Sequence, residues 1–410
     1  MTAPKCRACG AELNHTLVDL GDSPLANSYV TLDRKNTADN RYPLHARVCS
    51  DCFLVQVDDV VPPSDIFSDY AYFSSYSTSW VEHAREYCQQ AKDRLSLGGQ
   101  SLVVEVASND GYLLQHFVGA GVPVLGVEPA ANVAVEAEKR GVRSLVAFFG
   151  KETAEKIIVQ YGHADLTTAN NVLAHVPDIN DFVSGFAVVL KDSGVSTFEF
   201  PHLLNLLEKT QFDTIYHEHF SYLSLYAVER CFEQNGLKVF DVEELPTHGG
   251  SLRVWAQKTS GTRPETVGLK AVRAKEDAAG IATLDCYDGF EQKVIKIRDD
   301  LIAFINQANA NGKKVAAYGA AAKGNTILNY CGIMSDQIAF VVDANPHKQN
   351  TLLPGSRIPV RSPEALRTEQ PDYVIILPWN LKDEIMAAVS YVRDWDGQFV
   401  VAVPKVQILP

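Results

Sequence analysis

Two cysteine pairs at one spacing constrain this chain most: Cys6-x-x-Cys9 and Cys49-x-x-Cys52. Two residues between cysteines let both sulfurs reach one tetrahedral ion from a tight knuckle. Two knuckles complete a four-thiolate zinc site. The 39 residues between the pairs must then loop out from a single metal. A redox or chance set of cysteines is the alternative, and the identical spacing argues for zinc. Four thiolates leave no coordination position for a substrate. This zinc therefore holds a small domain together, and the chemistry lies further along the chain.

A length of 410 residues accommodates two or three domains. The net charge of −13 argues against nucleic acid as the main partner, because phosphate binding needs a basic face. Cys88, Cys231, Cys286 and Cys331 show no pairing pattern, as expected in a reducing compartment, the cytoplasm. The opening Met-Thr-Ala-Pro-Lys-Cys holds no apolar signal stretch. No run reaches the roughly 18 apolar residues of a membrane helix, so no membrane partner is expected.

Three textures follow. Residues 1–65 read as short strands and turns around the knuckles, closed by Pro62-Pro63. An aromatic, hydroxyl-rich stretch at 69–80 leads into a helix predicted over 81–97. Strands and glycine turns then alternate with helices. Strands are predicted at 101–106, 123–127, 164–169 and 194–200, with 238–242 and 251–257 as an antiparallel hairpin. The pattern predicts an α/β fold with a mostly parallel sheet covered on both faces, its ligands at the carboxyl ends of the strands. Residues 263–311 are charged and helical, a bridge. A second Rossmann-like α/β unit follows, with strands at 314–319, 338–343, 373–378 and 398–404. The predicted domains are 1–65, zinc-binding; 66–260, cofactor-binding; and 261–410, Rossmann-like.

The first strand of the middle domain ends in Glu105-Val-Ala107-Ser-Asn109-Asp-Gly111 and runs into a helix from Tyr112. One strand later comes Glu128-Pro129. An acid at that place can accept hydrogen bonds from both ribose hydroxyls of an adenosine. Gly111 lets the backbone approach a ligand closely. The loop lacks the three glycines of a dinucleotide loop, which favours S-adenosylmethionine over NAD. Glu105 is placed to orient the loop or a methionine amine. An ordinary glycine turn is the alternative.

The densest polar cluster is Tyr216-His217-Glu218-His219, beyond the fifth strand. It is not His-Glu-x-x-His, so a helical zinc protease site is unsupported. Solvated or capping histidines are the alternative.

The stretch from Glu105 to His175 resembles a class I methyltransferase. The resemblance puts Phe148 and Phe149 over the adenine, and Asn170, Asn171 and His175 where the fourth strand opens onto methionine and substrate. The loop departs from that family's usual Gly-x-Gly. Across the whole chain, the knuckles, Ser-Asn-Asp-Gly, Tyr-His-Glu-His-Phe, His-Gly-Gly-Ser-Leu-Arg and Gly-Ala-Ala-Ala-Lys-Gly occur in order. Together they resemble the sugar C-methyltransferases acting on dTDP-4-keto-6-deoxysugars. The chain is most similar to the C-3′-methyltransferases of 3-amino-4-keto sugars on the route to nitrosugars such as tetronitrose and kijanose.

The resemblance implies S-adenosylmethionine as methyl donor, S-adenosylhomocysteine as product and a dTDP-linked sugar as partner, on a monomer or weak oligomer. It implies His219 as base, with Tyr216 donating to the 4-keto oxygen and Glu218 orienting His219. His175 and Tyr70 complete the pocket; a core place is the alternative for Tyr70, and its hydroxyl-rich neighbourhood argues against it. His217 alternates with its neighbours and points away. His248, Gly250, Ser251 and Arg253 offer donors to the nucleotide, or simply form a hairpin turn. Lys323, Asn325, Asp343, Lys348 and Trp379 are nucleotide-sugar candidates; the same unit could bind NAD or serve as scaffold. Methylation at C5 stays open, since both carbons flank the ketone, as does a dTDP-4-keto-6-deoxyhexose lacking the amine, methylated at C3 or C5. Other classes are a NAD-dependent oxidoreductase and a zinc-knuckle interaction module without catalysis.

Overall fold

The computed structural model describes residues 4–58, 60–62 and 74–410. Tyr70, with the rest of 69–73 at the start of the aromatic stretch, lies outside the described residues.

The middle sheet has seven strands, and Val103–Val106 lies inside it with every residue buried. On one side follow Val124–Val127 and Ser144–Leu145. On the other follow Ala164–Asn170, Leu190–Pro201, Ser251–Lys258 and Leu237–Leu245. Only Ser251–Lys258 runs antiparallel to its neighbours, and the predicted hairpin is formed. The order reverses between Val103–Val106 and Ala164–Asn170, so their carboxyl ends frame the crevice where such sheets bind ligands. The preceding helix is Thr78–Leu95, slightly earlier than predicted. Ser77 caps it by accepting from the Trp80 N–H, a common helix start.

The C-terminal sheet has a parallel centre ordered Gln398–Val401, Tyr373–Ile376, Val315–Tyr318, Val341–Val342, Pro359–Arg361. Its reversal lies between Tyr373–Ile376 and Val315–Tyr318, which places the turns at 319–322 and 377–381 at a second crevice. The strand expected at 338–343 shrinks to Val341–Val342. Ile338 and Phe340 are packed in the core, and the Phe340 carbonyl still accepts the Ala317 N–H at 3.0 Å. Residues 263–311 form the helices Val267–Ala279 and Phe290–Ala310 around a short 3-10 turn.

Packing does not follow the chain segments. His15–Ser23, Tyr42–Val48 and Val55–Val57 form a small antiparallel sheet, whose fourth strand, Ser221–Tyr222, comes from far along the chain. Leu17, Leu44, Val48 and Val57 share one core with Phe290, Ile297 and Leu301 of the long helix. The N-terminal Val30–Thr31 pairs with Thr351–Leu352, at the edge of the C-terminal sheet. The cysteine knuckles pack with Phe182, Phe186 and Phe232 of the middle domain. No helix among the described residues is long and apolar enough to cross a membrane.

Candidate active site

The four knuckle sulfurs all lie within 4.8 Å of one another. Cys6 and Cys52 are 3.5 Å apart, as are Cys9 and Cys49. A zinc tetrahedron with Zn–S bonds of about 2.3 Å has edges of about 3.8 Å, so the donor set fits zinc. The Asp51 and Cys52 N–H groups point at the Cys49 sulfur, at 3.4 and 3.5 Å. Gln56 Nε2 donates to Cys6 at 3.2 Å. These donors spread the thiolate charge of a closed structural site.

The loop after Val103–Val106 turns through three left-handed residues, Ala107 (φ 56°), Asn109 (φ 51°) and Gly111 (φ 77°). The loop thus has a glycine-like path although two of the three are not glycine. Asn109 tolerates this conformation better than most residues; Gly111 is required, since a Cβ there would press on Ala137 and Val142 at 3.1–3.2 Å. Glu128 anchors the loop: one carboxylate oxygen accepts the Asn109 N–H at 2.9 Å and the other the Ala130 N–H at 2.9 Å. Asp343 repeats the device in the C-terminal unit, accepting Ala320 and Asn345 N–H groups, both at 2.8 Å.

Glu105 is buried, and its Oε2 lacks a hydrogen-bond partner. Burial, then the charges of Glu128 and Asp110, push its carboxyl well above the usual range. A cation brought to it would restore the ionised form, which suits the amine of a bound amino acid. The Oδ1 of Asn171, at the crevice, is likewise buried without a partner. Both orphaned atoms fit a ligand such as S-adenosylmethionine.

The cluster at 216–219 meets His175, which comes from the turn after Ala164–Asn170. His219 Nδ1 is 2.9 Å from the Thr214 carbonyl, which only accepts, so the proton sits on Nδ1. Nε2 is therefore the acceptor, and the Tyr216 hydroxyl donates to it at 2.7 Å. His175 is held in the same tautomer by the Glu218 carbonyl at 2.8 Å, with its ring edge-on to His219 at 4.7 Å. Burial drives both imidazoles toward the neutral form: His175 falls to about 4, and His219 falls well below 6.5, helped by His175 nearby. His217 turns away, as expected; its Nε2 lies 3.2 Å from the Tyr42 and Pro43 carbonyls. The carboxylate of Glu218 does not reach back to His219 in the structure; it accepts from Asn27.

Around this cluster, His248 Nε2 lies 3.3 Å from Asn171 Nδ2. Both residues are left-handed, at φ 54°. Such conformations in non-glycine residues concentrate at functional sites. Lys323 sits 4.8 Å over the Trp379 ring and donates to Asn380 at 3.0 Å. The Trp379 indole N–H donates to buried Asp213 at 2.7 Å, joining the C-terminal unit to the segment just before Tyr216.

Several expected site residues are placed elsewhere. Phe149 is half-buried and packs inward on Phe182 and Phe186, with ring centroids at 5.7 and 4.7 Å; Phe148 is exposed, at 51%. Arg253 is buried against Glu199 at 2.7 Å and lies over the Tyr87 ring, so its charge is already spent. Ser251 donates to the Thr247 carbonyl inside the strand ladder. Gly250 packs on Asn205, where no side chain fits. Asn325 is buried and donates to the Ala26 carbonyl at 2.6 Å. Sequence reasoning missed Glu199, His83 and Asp213. Glu199 carried a signal, as the one charged residue in the run 195–201; it pairs with His83 at 2.8 Å as well as Arg253. Trp80 stacks on His83 at 4.9 Å and meets His248 edge-on at 5.3 Å.

Residues 6–67 match the model of a zinc binding domain family, residues 80–242 a methyltransferase domain, and residues 246–404 a C-methyltransferase C-terminal domain. The chain is 35% identical over 405 residues to the C-methyltransferase NovU of Streptomyces niveus, covering 99% of this chain and 96% of that protein. The chain therefore belongs to the C-methyltransferase family that its motifs resemble. It is an S-adenosylmethionine-dependent C-methyltransferase, with S-adenosylmethionine and structural zinc as its cofactors. Among solved structures, magnesium protoporphyrin IX methyltransferase of Synechocystis PCC 6803 with bound SAM is 13% identical, covering 50% of this chain and all of that one, at a TM-score of 0.35. The CcbJ methyltransferase of Streptomyces caelestis is 12% identical, covering 43% and 90%, at 0.34. These likenesses are partial, and the fold rests on the strand order above.

Proposed function

We propose that the enzyme methylates C3′ of a dTDP-3-amino-4-keto-2,3,6-trideoxyhexose, a carbon made acidic by the neighbouring ketone. The observation that carries this reading is the Tyr216–His219 pair, a neutral imidazole whose acceptor nitrogen faces a phenol at 2.7 Å. Proton abstraction beside a carbonyl needs such a base, and a donor for the enolate oxygen.

Glu105, the loop at Ala107, Asn109 and Gly111, Tyr112, Glu128 and Pro129 would hold S-adenosylmethionine, with Phe148 at the adenine and Asn170 and Asn171 at the methionine end. When bound, that cofactor supplies an electrophilic methyl group. His219 Nε2 takes the C3′ proton while the electron pair moves onto the 4-keto oxygen. Tyr216 turns its hydroxyl from His219 to that oxygen. With the cofactor bound, the enolate carbon C3′ would be the nucleophile for that methyl group, the ketone re-forming and S-adenosylhomocysteine leaving as the product. Lys323, Trp379 and the helix Ala322–Tyr330 would hold the diphosphate end of the handle, the helix N-terminus favouring an anion. The pinned Asp343 and Lys348 brace that loop.

A second reading takes the 2.7 Å contact literally: the phenol oxygen receives the carbon proton as its own passes to His219. Solvent deuterium exchange at C3′ without cofactor tests both. Wild type should exchange and His219→Asn should not. Partial exchange by Tyr216→Phe supports direct abstraction by His219, and complete loss supports the relay. Exchange by His219→Asn at the wild-type rate would remove His219 from either role.

A further inference from the structure

Glu218 is held from outside its own domain. Its carboxylate oxygens lie 2.8 and 2.9 Å from Asn27 Nδ2, on the segment leaving the zinc-bound sheet. Glu218 is buried, whereas Asn27 is exposed. An exposed amide needs no protein partner, but a buried carboxylate does, so the contact serves Glu218. The segment is clamped on both sides of Asn27. The Ala26 carbonyl accepts from Asn325, and the Tyr29 hydroxyl donates to the Ala320 carbonyl. Lys348 Nζ donates to that same carbonyl at 2.8 Å.

We propose that Asn27 is a positioning residue for methyl transfer: its amide fixes the Glu218 carboxylate and so joins the zinc-bound module to the reacting centre. The proposal rests on the reading of that centre given above: Glu218 stands between His217 and His219, and its main-chain carbonyl holds His175 Nδ1 at 2.8 Å, so a shift of its side chain would move both imidazoles. The groups facing Glu218 come from three elements. Lys348 approaches from the C-terminal unit, with Asp343 behind it at 3.8 Å. Tyr29 faces it from the N-terminal segment. His175 holds its main-chain carbonyl, and His217 and His219 flank it in the chain. Burial pushes the Glu218 carboxyl up to about 7, while the Asn27 hydrogen bonds and the Lys348 charge pull it down. Loss of the Asn27 donors should raise it further.

The test is the pH profile of kcat for full-length, zinc-loaded Asn27→Leu, assayed with S-adenosylmethionine and dTDP-3-amino-4-keto-2,3,6-trideoxyhexose. The expected result is an ionisation near pH 7 moved up by about one pH unit, with one zinc retained and kcat about tenfold lower. In a Glu218→Gln background the ionisation should be absent and Asn27→Leu should add nothing. An unmoved profile in Asn27→Leu, beside a crippled Glu218→Gln, overturns this inference alone. A Glu218→Gln enzyme with the wild-type rate overturns the reading of Glu218 beneath it. If Asn27→Leu loses its zinc, the isosteric Asn27→Asp takes its place. A second carboxylate against Glu218 should raise the same ionisation, and an unmoved one overturns the proposal.

Discussion

The Tyr216 hydroxyl donates to Nε2 of His219, whose Nδ1–H is held by the Thr214 carbonyl. The ring is thus fixed in one tautomer, with its basic nitrogen toward the reacting side. His219→Asn keeps the shape but cannot take a proton at neutral pH. Methyl transfer should fall by about 10²–10⁴ with both ligands still bound. Steady-state rates and calorimetry on the variant check this.

His248 predicts an effect of pH on stability. Burial, then the charge of Lys323, lowers its imidazole to about 4. The unfolded chain binds that proton from 6.5 downward and the native state does not. Stability is therefore present above 6.5 and lost as pH falls from 6.5 toward 4. His248→Asn should make the fall in Tm across that window smaller by about 2 °C or more. Asparagine tolerates the left-handed backbone there. Thermal melts at pH 7 and pH 4.5 give the comparison.

Zinc should be present at one per chain, and Cys49→Ser should lose it. The knuckles pack on the middle domain, and their sheet shares a core with the helix Phe290–Ala310. Loss of the metal should therefore lower the melting of the whole chain, not detach one small domain. Elemental analysis and calorimetry on that variant report both effects.

Glu128→Ala should weaken S-adenosylmethionine binding about tenfold to a hundredfold, since it removes a charged acceptor that also pins the Asn109 and Ala130 N–H groups. Isothermal titration gives the affinity, and unchanged binding would remove Glu128 from the cofactor site.

Much of this was legible in local patterns. The all-buried Val103–Val106 announced a parallel strand, and the two knuckle spacings announced one metal. Phe148 and Phe149 were indistinguishable, because adjacent aromatics give no sign of which one faces the core. Arg253 looked like an anion binder because its partner, Glu199, lies 54 residues away. The Asn27–Glu218 contact spans 191 residues, which no local pattern encodes.

The central claim is methyl transfer to a carbon beside the ketone. Incubation with S-adenosylmethionine and dTDP-3-amino-4-keto-2,3,6-trideoxyhexose, followed by NMR location of the new methyl, tests it most directly. The account predicts a methyl on C3′, its signal coupled to no proton because the carbon becomes fully substituted. A methyl on C5′, on the amine or on an oxygen, or no transfer at all, would contradict it.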